Sequence, residues 1–313
     1  MFYEVIIMEK RDVIIVGGGP AGLTAASTLK QYGVEPLVLE AEKTMATVYS
    51  YAWKPVENYP GFDGKPAIEI AKAFDNMIKF FGFEVREQER VIKARKEDEM
   101  IIVETTKNIY QTKVLIIAIG ILGRPRRMGL PNEDLPNVHY TVRDPKEFAG
   151  KKVVVVGGGD TAVDTATALA QAGAEVTIVH RRDQFRAPKR SVEKMIKAGV
   201  KLVLNSVVQE IIAKNGLAIA VRVVDKEGNQ QILPLDHLIF LIGYEPPDLS
   251  WIKDLGVVMR GREIVVDDKM KTNVKGVLAA GDITPAPKRI LVAAAQGYTA
   301  GLTAFRYLRA GVW

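Results

Sequence analysis

The sequence predicts an α/β protein with two Rossmann-like dinucleotide-binding domains, the second inserted into a discontinuous first. Three observations predict it: a glycine-rich turn follows a β-type run at Gly17, a second follows a run of valines at Gly157, and two apolar segments ending in glycine bracket the second turn. A strand, a glycine turn and a helix in this order form the phosphate-binding start of a dinucleotide fold. With 313 residues, the chain has room for two domains of ~100–200 residues.

The composition narrows the kind of protein. Hydrophobic residues make up 48% and charged residues 26% of the chain, and no low-complexity tract is present, as in ordinary globular proteins. The longest apolar stretch, residues 114–122, is far shorter than the ~20 residues that span a membrane. We therefore expect no membrane segment and a cytoplasmic location.

The net charge of +6 favours encounter with acidic partners, because a basic surface attracts them over long distances. A solvated Lys/Arg-rich surface explains the same charge equally well. No basic run is interleaved with aromatic residues, so we do not expect a nucleic-acid partner.

The sequence contains no cysteine. This excludes disulfides, thiolate metal sites, cysteine-held iron–sulfur clusters and dithiol catalysis within the chain. The three histidines, His139, His180 and His237, lie far apart in sequence without acidic residues at metal-ligand spacing. We therefore expect no metal site.

The first glycine turn lies between a predicted strand and an Ala/Leu-rich helix. Gly17, Gly19 and Gly22 fill the GxGxxG pattern, which permits a tight turn, close approach of the backbone to a pyrophosphate, and close packing of helix on strand. The phosphates bind at the helix N-terminus. Glu40 ends the next β-type run, at the distance where a carboxylate accepts ribose hydroxyls. The alternative is an ordinary α/β turn with Glu40 on the surface.

The second glycine turn repeats the pattern with Gly157, Gly159 and Ala162. The strand that follows ends in a basic group instead of an acid: His180, Arg181, Arg182 and Arg186. Arginine side chains there suit the 2′-phosphate of NADPH, whereas NADH requires an acidic acceptor. The alternative is a solvated basic loop.

The remaining pieces define the nesting of the domains. Apolar segments at residues 114–120 and 238–243 bracket the second turn, and a strand over 272–282 and a helix over 290–308 return to the first domain. Asp282, at that strand end, is placed to contact a sugar-like chain such as the FAD ribitol, while the following helix N-terminus faces a flavin carbonyl. Capping of that helix by Asp282 is the alternative. We predict an FAD domain of residues 1–120 and 246–313 and an NAD(P)H domain of residues 121–245.

The ordered motifs GGGPAG at Gly17, ENYPGF at Glu57, AIG at Ala118, GGGDTAV at Gly157, HRRDQFRA at His180 and AAGD at Ala279 resemble the low-molecular-weight thioredoxin reductase family over nearly the whole chain. Those enzymes carry a cysteine pair before the second glycine turn, but residues 137–156 contain none. Thioredoxin reduction by an internal dithiol is therefore excluded. Residues 137–195 more closely resemble the thioredoxin-reductase-like ferredoxin or flavodoxin NADP reductases, which lack the dithiol.

This resemblance implies a function and a set of sites. Hydride passes from NADPH to FAD, and single electrons then pass to a small acidic carrier, ferredoxin or flavodoxin, with no catalytic side chain required. It also implies a homodimer. The implied FAD residues are Gly17, Gly19, Pro20, Ala21, Gly22, Glu40, Asn58 (near the flavin ring), Gly120, Gly281, Asp282 and Gln296. The implied NADPH residues are Gly157, Gly159, Asp160, Thr161, Ala162, His180, Arg181, Arg182, Arg186 and Gly243.

The sequence departs from the family in two places. That branch has a C-terminal extension whose aromatic side chain covers one flavin face, and here Trp313 either replaces it or packs elsewhere. A Gly-Gly-Gln segment near the flavin is replaced by Thr47-Val48-Tyr49. An aromatic group in this region either stacks on the flavin or forms core: Tyr49, Tyr51, Trp53 and Tyr59.

Two other functions stay open at this point. An oxidase or diaphorase would pass electrons to oxygen, quinones or an external redox protein, and a bare flavin face favours it. A redox sensor or scaffold without turnover is disfavoured, because it needs no NADPH site. Glycines and prolines at residues 120–124 and 243–248 predict a hinge that brings the two nucleotides together.

Overall fold

The computed structural model describes residues 8–313, which divide into two compact units. Unit 1 comprises the described residues up to Leu122 together with Pro246–Trp313, and unit 2 comprises Gly123–Glu245. In sequence, unit 2 therefore lies between the two segments of unit 1. Within this part of the chain no helix is long and apolar enough to cross a membrane.

Both units contain strands and helices, with runs of consecutive strands at β3–β6 and β10–β14. In chain order the strands are β1 (Glu9–Val16), β2 (Pro36–Leu39), β3 (Glu84–Arg86), β4 (Val91–Glu97), β5 (Met100–Thr105), β6 (Ile109–Ile117), β7 (Val138–His139), β8 (Lys152–Gly157), β9 (Glu175–Val179), β10 (Lys201–Val203), β11 (Ser206–Lys214), β12 (Leu217–Asp225), β13 (Gln230–Pro234), β14 (His237–Leu241), β15 (Met259–Arg260), β16 (Glu263–Ile264) and β17 (Val277–Ala279). The helices are α1 (Pro20–Gln31), α2 (Ala46–Tyr49), α3 (Ile68–Phe81), α4 (Asp160–Gln171), α5 (Lys189–Lys197), α6 (Ser250–Asp254) and α7 (Ile290–Ala310).

Unit 1 is built on a seven-stranded sheet in the order β3-β2-β1-β6-β5-β4, with β17 also paired to β6. Strands β3, β2, β1, β6 and β17 are parallel, whereas β5 and β4 form an antiparallel extension. The first half of β6 pairs with β5 and its last residues, Leu115–Ile117, pair with β17. The carboxyl ends of β1, β2, β6 and β17 therefore meet at one sheet edge, where ligands bind in such folds.

Helices α1 and α7 of unit 1 cross at very short range. A side-chain carbon at Gly297 would overlap the Ala21 carbonyl, and one at Gly301 would lie 2.8 Å from the Ala25 carbonyl oxygen. Glycine at both α7 positions is what lets the two backbones touch. The crossing places the C-terminal helix directly on the helix that follows the first glycine turn.

Unit 2 contains a parallel five-stranded sheet in the order β10-β9-β8-β14-β7 and an antiparallel three-stranded sheet, β11-β12-β13. One apolar cluster joins the two sheets, with Val154 and Phe240 from the parallel sheet and Ile211 and Val221 from the antiparallel one. The valine run that predicts a buried strand is β8, with Val153–Val156 all buried.

Several element boundaries differ from the sequence prediction. The strand expected over residues 114–120 runs from Ile109 to Ile117, because its polar first half pairs with β5 and its last residues leave the sheet beside Gly17. The strand expected over 238–243 is shifted to β14, and that expected within 272–282 is the short β17. Helix α7 extends to Ala310, where Gly311 with φ +67° ends it in a left-handed conformation.

We predict that Gly297→Ala lowers the free energy of unfolding by about 1–3 kcal/mol, because α1 and α7 must separate to admit the methyl group. The same change at an exposed helix position raises stability by up to ~1 kcal/mol, so the sign of the effect is diagnostic. Thermal melting of the wild-type and Gly297→Ala proteins measures the change in stability. Ala295→Met, on the exposed side of α7, is the control. Unchanged or increased stability of Gly297→Ala would contradict the close crossing.

Candidate functional site

The first glycine turn, residues 17–22, has the geometry that a phosphate-binding backbone requires. Gly17 has φ +115° and donates its N–H to the Leu39 carbonyl at 2.8 Å. A side-chain carbon at Gly17 would overlap the Ala118 carbonyl, and one at Gly22 would overlap the Gly17 carbonyl. Gly19 has no atom within 4 Å of that position, so its outer face is open to a ligand. The N-terminus of α1 at Pro20 lacks a side-chain cap, which leaves backbone N–H groups for an anion.

Glu40 is held against this turn immediately after β2. Its Oε2 accepts the Gly18 N–H at 2.7 Å and its Oε1 accepts the Glu42 N–H at 2.8 Å. Burial raises the pKa of Glu40 above its ordinary value, although these two hydrogen bonds oppose the shift. A carboxylate oxygen has two lone pairs, so each oxygen can still accept a ligand hydroxyl.

The segment after β17 brings a second carboxylate to unit 1. Gly281 has φ +81° and donates its N–H to Gln296 Oε1 at 2.8 Å, and Thr284 Oγ1 donates to the same oxygen at 3.0 Å. A side-chain carbon at Gly281 would lie 2.9 Å from the Ala21 Cβ. Gln296 thus ties this segment to α7 beside the first glycine turn.

Asp282 itself is half-buried and makes no hydrogen bond with any residue in the described range 8–313. Burial raises its pKa, and the nearby Lys288 and Arg289 oppose that shift. It does not cap α7, which begins at Ile290 after an N-cap at Arg289. Asp282 is therefore a half-buried carboxylate without a hydrogen-bond partner among residues 8–313.

The other two residues implied for FAD lie less centrally. Gly120 has φ +68° and follows Ala118, whose carbonyl faces Gly17. Asn58 lies exposed in the loop between α2 and α3. No hydrogen bond within residues 8–313 joins Asn58 to the glycine turn, to Glu40 or to Asp282, and its place near the flavin ring stays a prediction.

The second glycine turn, residues 157–162 in unit 2, repeats the close backbone contacts of the first turn. A side-chain carbon at Gly157 would overlap the Leu241 carbonyl and lie 2.8 Å from the Ala162 Cβ. Ala162 is fully buried at the start of α4, whose N-terminus at Asp160 and Thr161 lacks a side-chain cap. Backbone N–H groups are again left for an anion.

His180 supports this turn from the adjacent strand end. Its ring stacks on Phe185 at a centroid distance of 5.2 Å, and its Nε2 lies 3.1 Å from the Gln184 carbonyl oxygen. A side-chain carbon at Gly158 would collide with the ring. Burial lowers the pKa of His180, and the neighbouring arginines lower it further. Phe185 was not recognised in the sequence, although its place within HRRDQFR marks it as the only aromatic of that segment.

The three arginines of this segment are exposed, and none of them forms an ion pair with another residue of the 8–313 range. Arg186 donates its backbone N–H to the Gly158 carbonyl at 2.8 Å. Its guanidinium lies 3.6 Å from the position of a side-chain carbon at Gly159. Arg181 and Arg182 directly follow His180. Unpaired guanidinium groups at a glycine turn form a site for an anion.

Gly243, the last of the residues implied for NADPH, lies where the chain leaves unit 2. It has φ +103°, and its carbonyl accepts the Arg126 N–H at 2.9 Å. The Glu245 N–H donates to the Arg124 carbonyl at 2.8 Å. The two crossings of the predicted hinge are therefore hydrogen-bonded to each other.

The aromatic side chains in doubt are partly assigned by their contacts. Tyr49 packs against the unit 1 core and donates its hydroxyl to Asp75 on α3. Tyr59 also packs against that core, edge-on to Phe62. Trp313 lies edge-on to Tyr307 with a centroid distance of 5.0 Å. All three rings have partners within unit 1.

Two of the histidines that are distant in sequence meet in the structure. His139 Nε2 and His237 Nδ1 lie 3.1 Å apart, although 98 residues separate them. Burial lowers the pKa of both rings, and Phe148 packs edge-on to them. Among the described residues no group of three or more His, Cys, Asp or Glu side chains is arranged to hold a metal ion.

The geometry can be compared with known proteins. The model of the pyridine nucleotide-disulphide oxidoreductase family matches residues 11–297. The chain is 74% identical over 304 residues to the ferredoxin--NADP reductase of Ignicoccus hospitalis, covering 97% of this chain and 100% of that one. It is 37% identical over 305 residues to the ferredoxin--NADP reductase of Sulfurisphaera tokodaii, covering 94% and 91%.

Solved structures give a consistent result. Thioredoxin reductase from Lactococcus lactis superposes with a TM-score of 0.78 at 28% identity, covering 96% of this chain and 99% of that one. Thioredoxin reductase from T. acidophilum gives a TM-score of 0.78 at 27% identity, covering 95% and 98%. The predicted fold class, two Rossmann-like domains with one inserted in the other, is confirmed, as is the predicted resemblance to both groups of enzymes.

We predict that Gly158→Ala lowers the melting temperature of the protein without nucleotide, because the methyl group displaces the His180 ring. The double variant Gly158→Ala/His180→Ala should be destabilised by less than the sum of the two single variants, with a coupling of about 0.5–3 kcal/mol. Gly159→Ala is the matched control, since its new methyl group meets only the flexible Arg186 end at ordinary contact distance. Strict additivity would show that the ring does not occupy this space.

Proposed function

Because this chain belongs to the pyridine nucleotide-disulphide oxidoreductase family, we propose that it is a ferredoxin--NADP reductase that uses FAD to oxidise NADPH and passes the electrons to ferredoxin or flavodoxin. One observation carries the proposal: the two glycine turns have the same backbone geometry, but Glu40 lies at the first and three unpaired arginines lie at the second. The names of the two reductases at 74% and 37% identity support it.

The residues of unit 1 fit FAD. The open face of Gly19 and the free N–H groups of α1 receive the pyrophosphate, and Glu40 accepts the ribose hydroxyls. Asp282 has no hydrogen-bond partner in the described chain, as expected of a carboxylate that accepts a ribitol hydroxyl. The N-terminus of α7, which also lacks a side-chain cap, carries a positive partial charge suited to a flavin carbonyl.

The residues of unit 2 fit NADPH in preference to NADH. The turn at Gly157–Gly159 would receive the pyrophosphate, and Arg181, Arg182 and Arg186 would hold the 2′-phosphate. Guanidinium groups bind phosphate through paired, charge-assisted hydrogen bonds. No carboxylate takes the place that Glu40 has in unit 1, so the 2′-hydroxyl of NADH has no acidic acceptor there.

The protein's part in the reaction is to bind and orient the two nucleotides. When bound, FAD accepts a hydride and gives up electrons one at a time. The side chains at both turns hold phosphates and sugar hydroxyls, and we assign no acid–base group. Because the chain contains no cysteine, the electrons leave it without passing through a dithiol of its own.

A second candidate, reduction of oxygen or quinones, is favoured by the position of Trp313. Trp313 contacts Tyr307, which lies eleven residues beyond Gln296 on α7, or about 16 Å along the helix axis. Gln296 holds Gly281, next to the proposed flavin residue Asp282. Within the chain Trp313 is thus held on the distal part of α7, which supports an uncovered flavin face that small acceptors could reach.

Anaerobic stopped-flow spectroscopy tests both candidates. The oxidised protein is mixed with NADPH or NADH, and the reduced protein is then mixed with oxidised ferredoxin or with air. Fast bleaching by NADPH followed by faster reoxidation with ferredoxin than with air supports the reductase. Faster reoxidation by air than by ferredoxin supports the oxidase instead. If NADPH fails to bleach the flavin, both the reductase and the oxidase are ruled out.

We predict that the triple variant Arg181→Ala/Arg182→Ala/Arg186→Ala loses its preference for NADPH. Each charge-assisted contact contributes about 1.5–3 kcal/mol, so KM for NADPH should rise at least tenfold while KM for NADH changes little. Steady-state kinetics with both nucleotides measures this, with Lys214→Ala, an exposed cation elsewhere in unit 2, as the control. An equal loss with both nucleotides would assign the arginines to another role.

We predict that FAD binding weakens as the pH falls, beginning above the range near ~4 where ordinary carboxyls titrate. Burial raises the pKa of Glu40 and Asp282, so both take up protons at a higher pH and then accept hydrogen bonds from FAD less well. Asp282→Asn should weaken FAD binding about tenfold or more and reduce this pH dependence. The fluorescence of released FAD measures it, with the exposed Asp254→Asn as the control. If FAD is released only at the pH where ordinary carboxyl groups titrate, Glu40 and Asp282 do not belong to the FAD site.

Three expectations from the sequence stay predictions. The crossings at residues 120–124 and 243–248 are candidates for a hinge, and unchanged hydride-transfer rates after rigidifying them would count against it. A homodimer is testable by light scattering of the purified protein. The cytoplasmic location is testable by cell fractionation.

A further inference from the structure

We propose that a basic hairpin in unit 1, formed by β15 and β16, is the docking surface for the acidic one-electron carrier. The inference rests on the proposed function, since a carrier that takes electrons from a flavin must come close to it. The surface consists of five charged residues: Arg260, Arg262, Glu263, Lys288 and Arg289. Four are cations and one is an anion, so the surface is strongly positive.

The hairpin is attached directly to the segment that carries Asp282. The Ile264 N–H donates to the Ile283 carbonyl at 2.7 Å, one residue after Asp282. Lys288 Nζ forms an ion pair with Glu263 at 2.7 Å and also donates to the Thr284 carbonyl at 2.5 Å. These contacts hold the hairpin beside the residues proposed to face the flavin.

The cations of this surface are available for a partner. Arg260, Arg262 and Arg289 are exposed, and none forms an ion pair with another residue of the described chain. The only acid among the five, Glu263, already pairs with Lys288. Burial raises the pKa of Asp282, and Lys288 and Arg289 are close enough to oppose that shift, so their charges act at the proposed flavin site.

The two acidic residues that follow β16 in sequence lie toward the other end of α7. Asp267 and Asp268 belong to a turn whose neighbour Lys269 accepts a hydrogen bond from Thr303 on α7. Thr303 is thirteen residues beyond the helix start at Ile290, about 20 Å along the axis. The end of α7 next to Arg289 is therefore basic and free of these acids.

Helix α5 in unit 2 is another basic surface of the described chain. It exposes four cations, Lys189, Arg190, Lys194 and Lys197, none of them ion-paired within residues 8–313. It begins three residues after Arg186, next to the proposed 2′-phosphate site. Electrons leave from the flavin and not from the adenosine end of NADPH, so α5 is the weaker choice and provides a matched control.

The size and sign of the surface suit a transient complex. Electron-transfer encounters bury less than about 1,200 Å², and charge complementarity mainly raises their association rate, by about 10- to 1,000-fold at low salt. A few exposed arginines fit this kind of short-lived docking. The partner that the surface fits is a small protein whose electron-transfer face is rich in carboxylates.

The experiment compares two charge reversals of equal size, Arg260→Glu/Arg262→Glu on the hairpin and Lys194→Glu/Lys197→Glu on α5. Anaerobic stopped-flow spectroscopy measures reduction of the flavin by NADPH, then its reoxidation by an acidic ferredoxin or by neutral benzoquinone. We expect the hairpin variant to slow reoxidation by ferredoxin at least tenfold at low salt and to lose its salt dependence. Reduction by NADPH and reoxidation by benzoquinone should stay within about twofold of the wild type.

The controls separate the possible failures. The milder Arg260→Gln/Arg262→Gln variant should give an intermediate rate, which guards against a misfolded hairpin. The docking surface is wrong if the α5 variant slows ferredoxin equally or more, or if the hairpin variant slows benzoquinone as much as ferredoxin. If ferredoxin does not reoxidise the wild type at all, the proposed function itself fails.

Discussion

The first site depends on the close crossing of α1 and α7. Glycines at 297 and 301 let α7 rest on the α1 backbone at Ala21 and Ala25, and Gln296 then reaches the Gly281 N–H. Residues from the two ends of the chain, more than 250 positions apart, are thereby placed around one turn. The site thus depends on the packing of small residues, because any side chain at the crossing would move Gly281 and Asp282 away from the glycine turn.

The two glycine turns have a similar backbone but present different side chains to a ligand. In both, a glycine with positive φ fits under a neighbouring carbonyl, at Ala118 or Leu241, and an uncapped helix begins just beyond. The difference lies at the end of the following strand, where Glu40 is buried and hydrogen-bonded to the turn while Arg186 reaches over it from the solvent side. A fixed carboxylate suits hydroxyl donors and unpaired guanidinium groups suit a phosphate.

The absence of cysteine gives the surface of unit 1 a particular importance. In the proposed function, a flavin bound at Asp282 would pass its electrons directly to the acceptor that docks nearby, because the chain has no dithiol of its own. The charge of the surface then decides between acceptors: a positive hairpin attracts an acidic protein, whereas a small neutral acceptor needs only access to the flavin. Trp313 lies on Tyr307 near the end of α7, and this position is the observation that favours the second candidate of the proposed function.

Local sequence determined the parts of this protein that depend on neighbouring residues: both glycine turns, the strands before them, the nesting of the domains and the identity of the charged residues at Glu40 and Arg181. Such patterns are readable because backbone sterics act within a few positions. Tertiary structure alone decided which side chains meet across long separations, such as His139 with His237 and Lys288 with Glu263. It also decided that Tyr49 and Trp313 pack within unit 1 and that Asp282 makes no hydrogen bond within residues 8–313. These outcomes depend on how distant segments fill space, which no local pattern encodes.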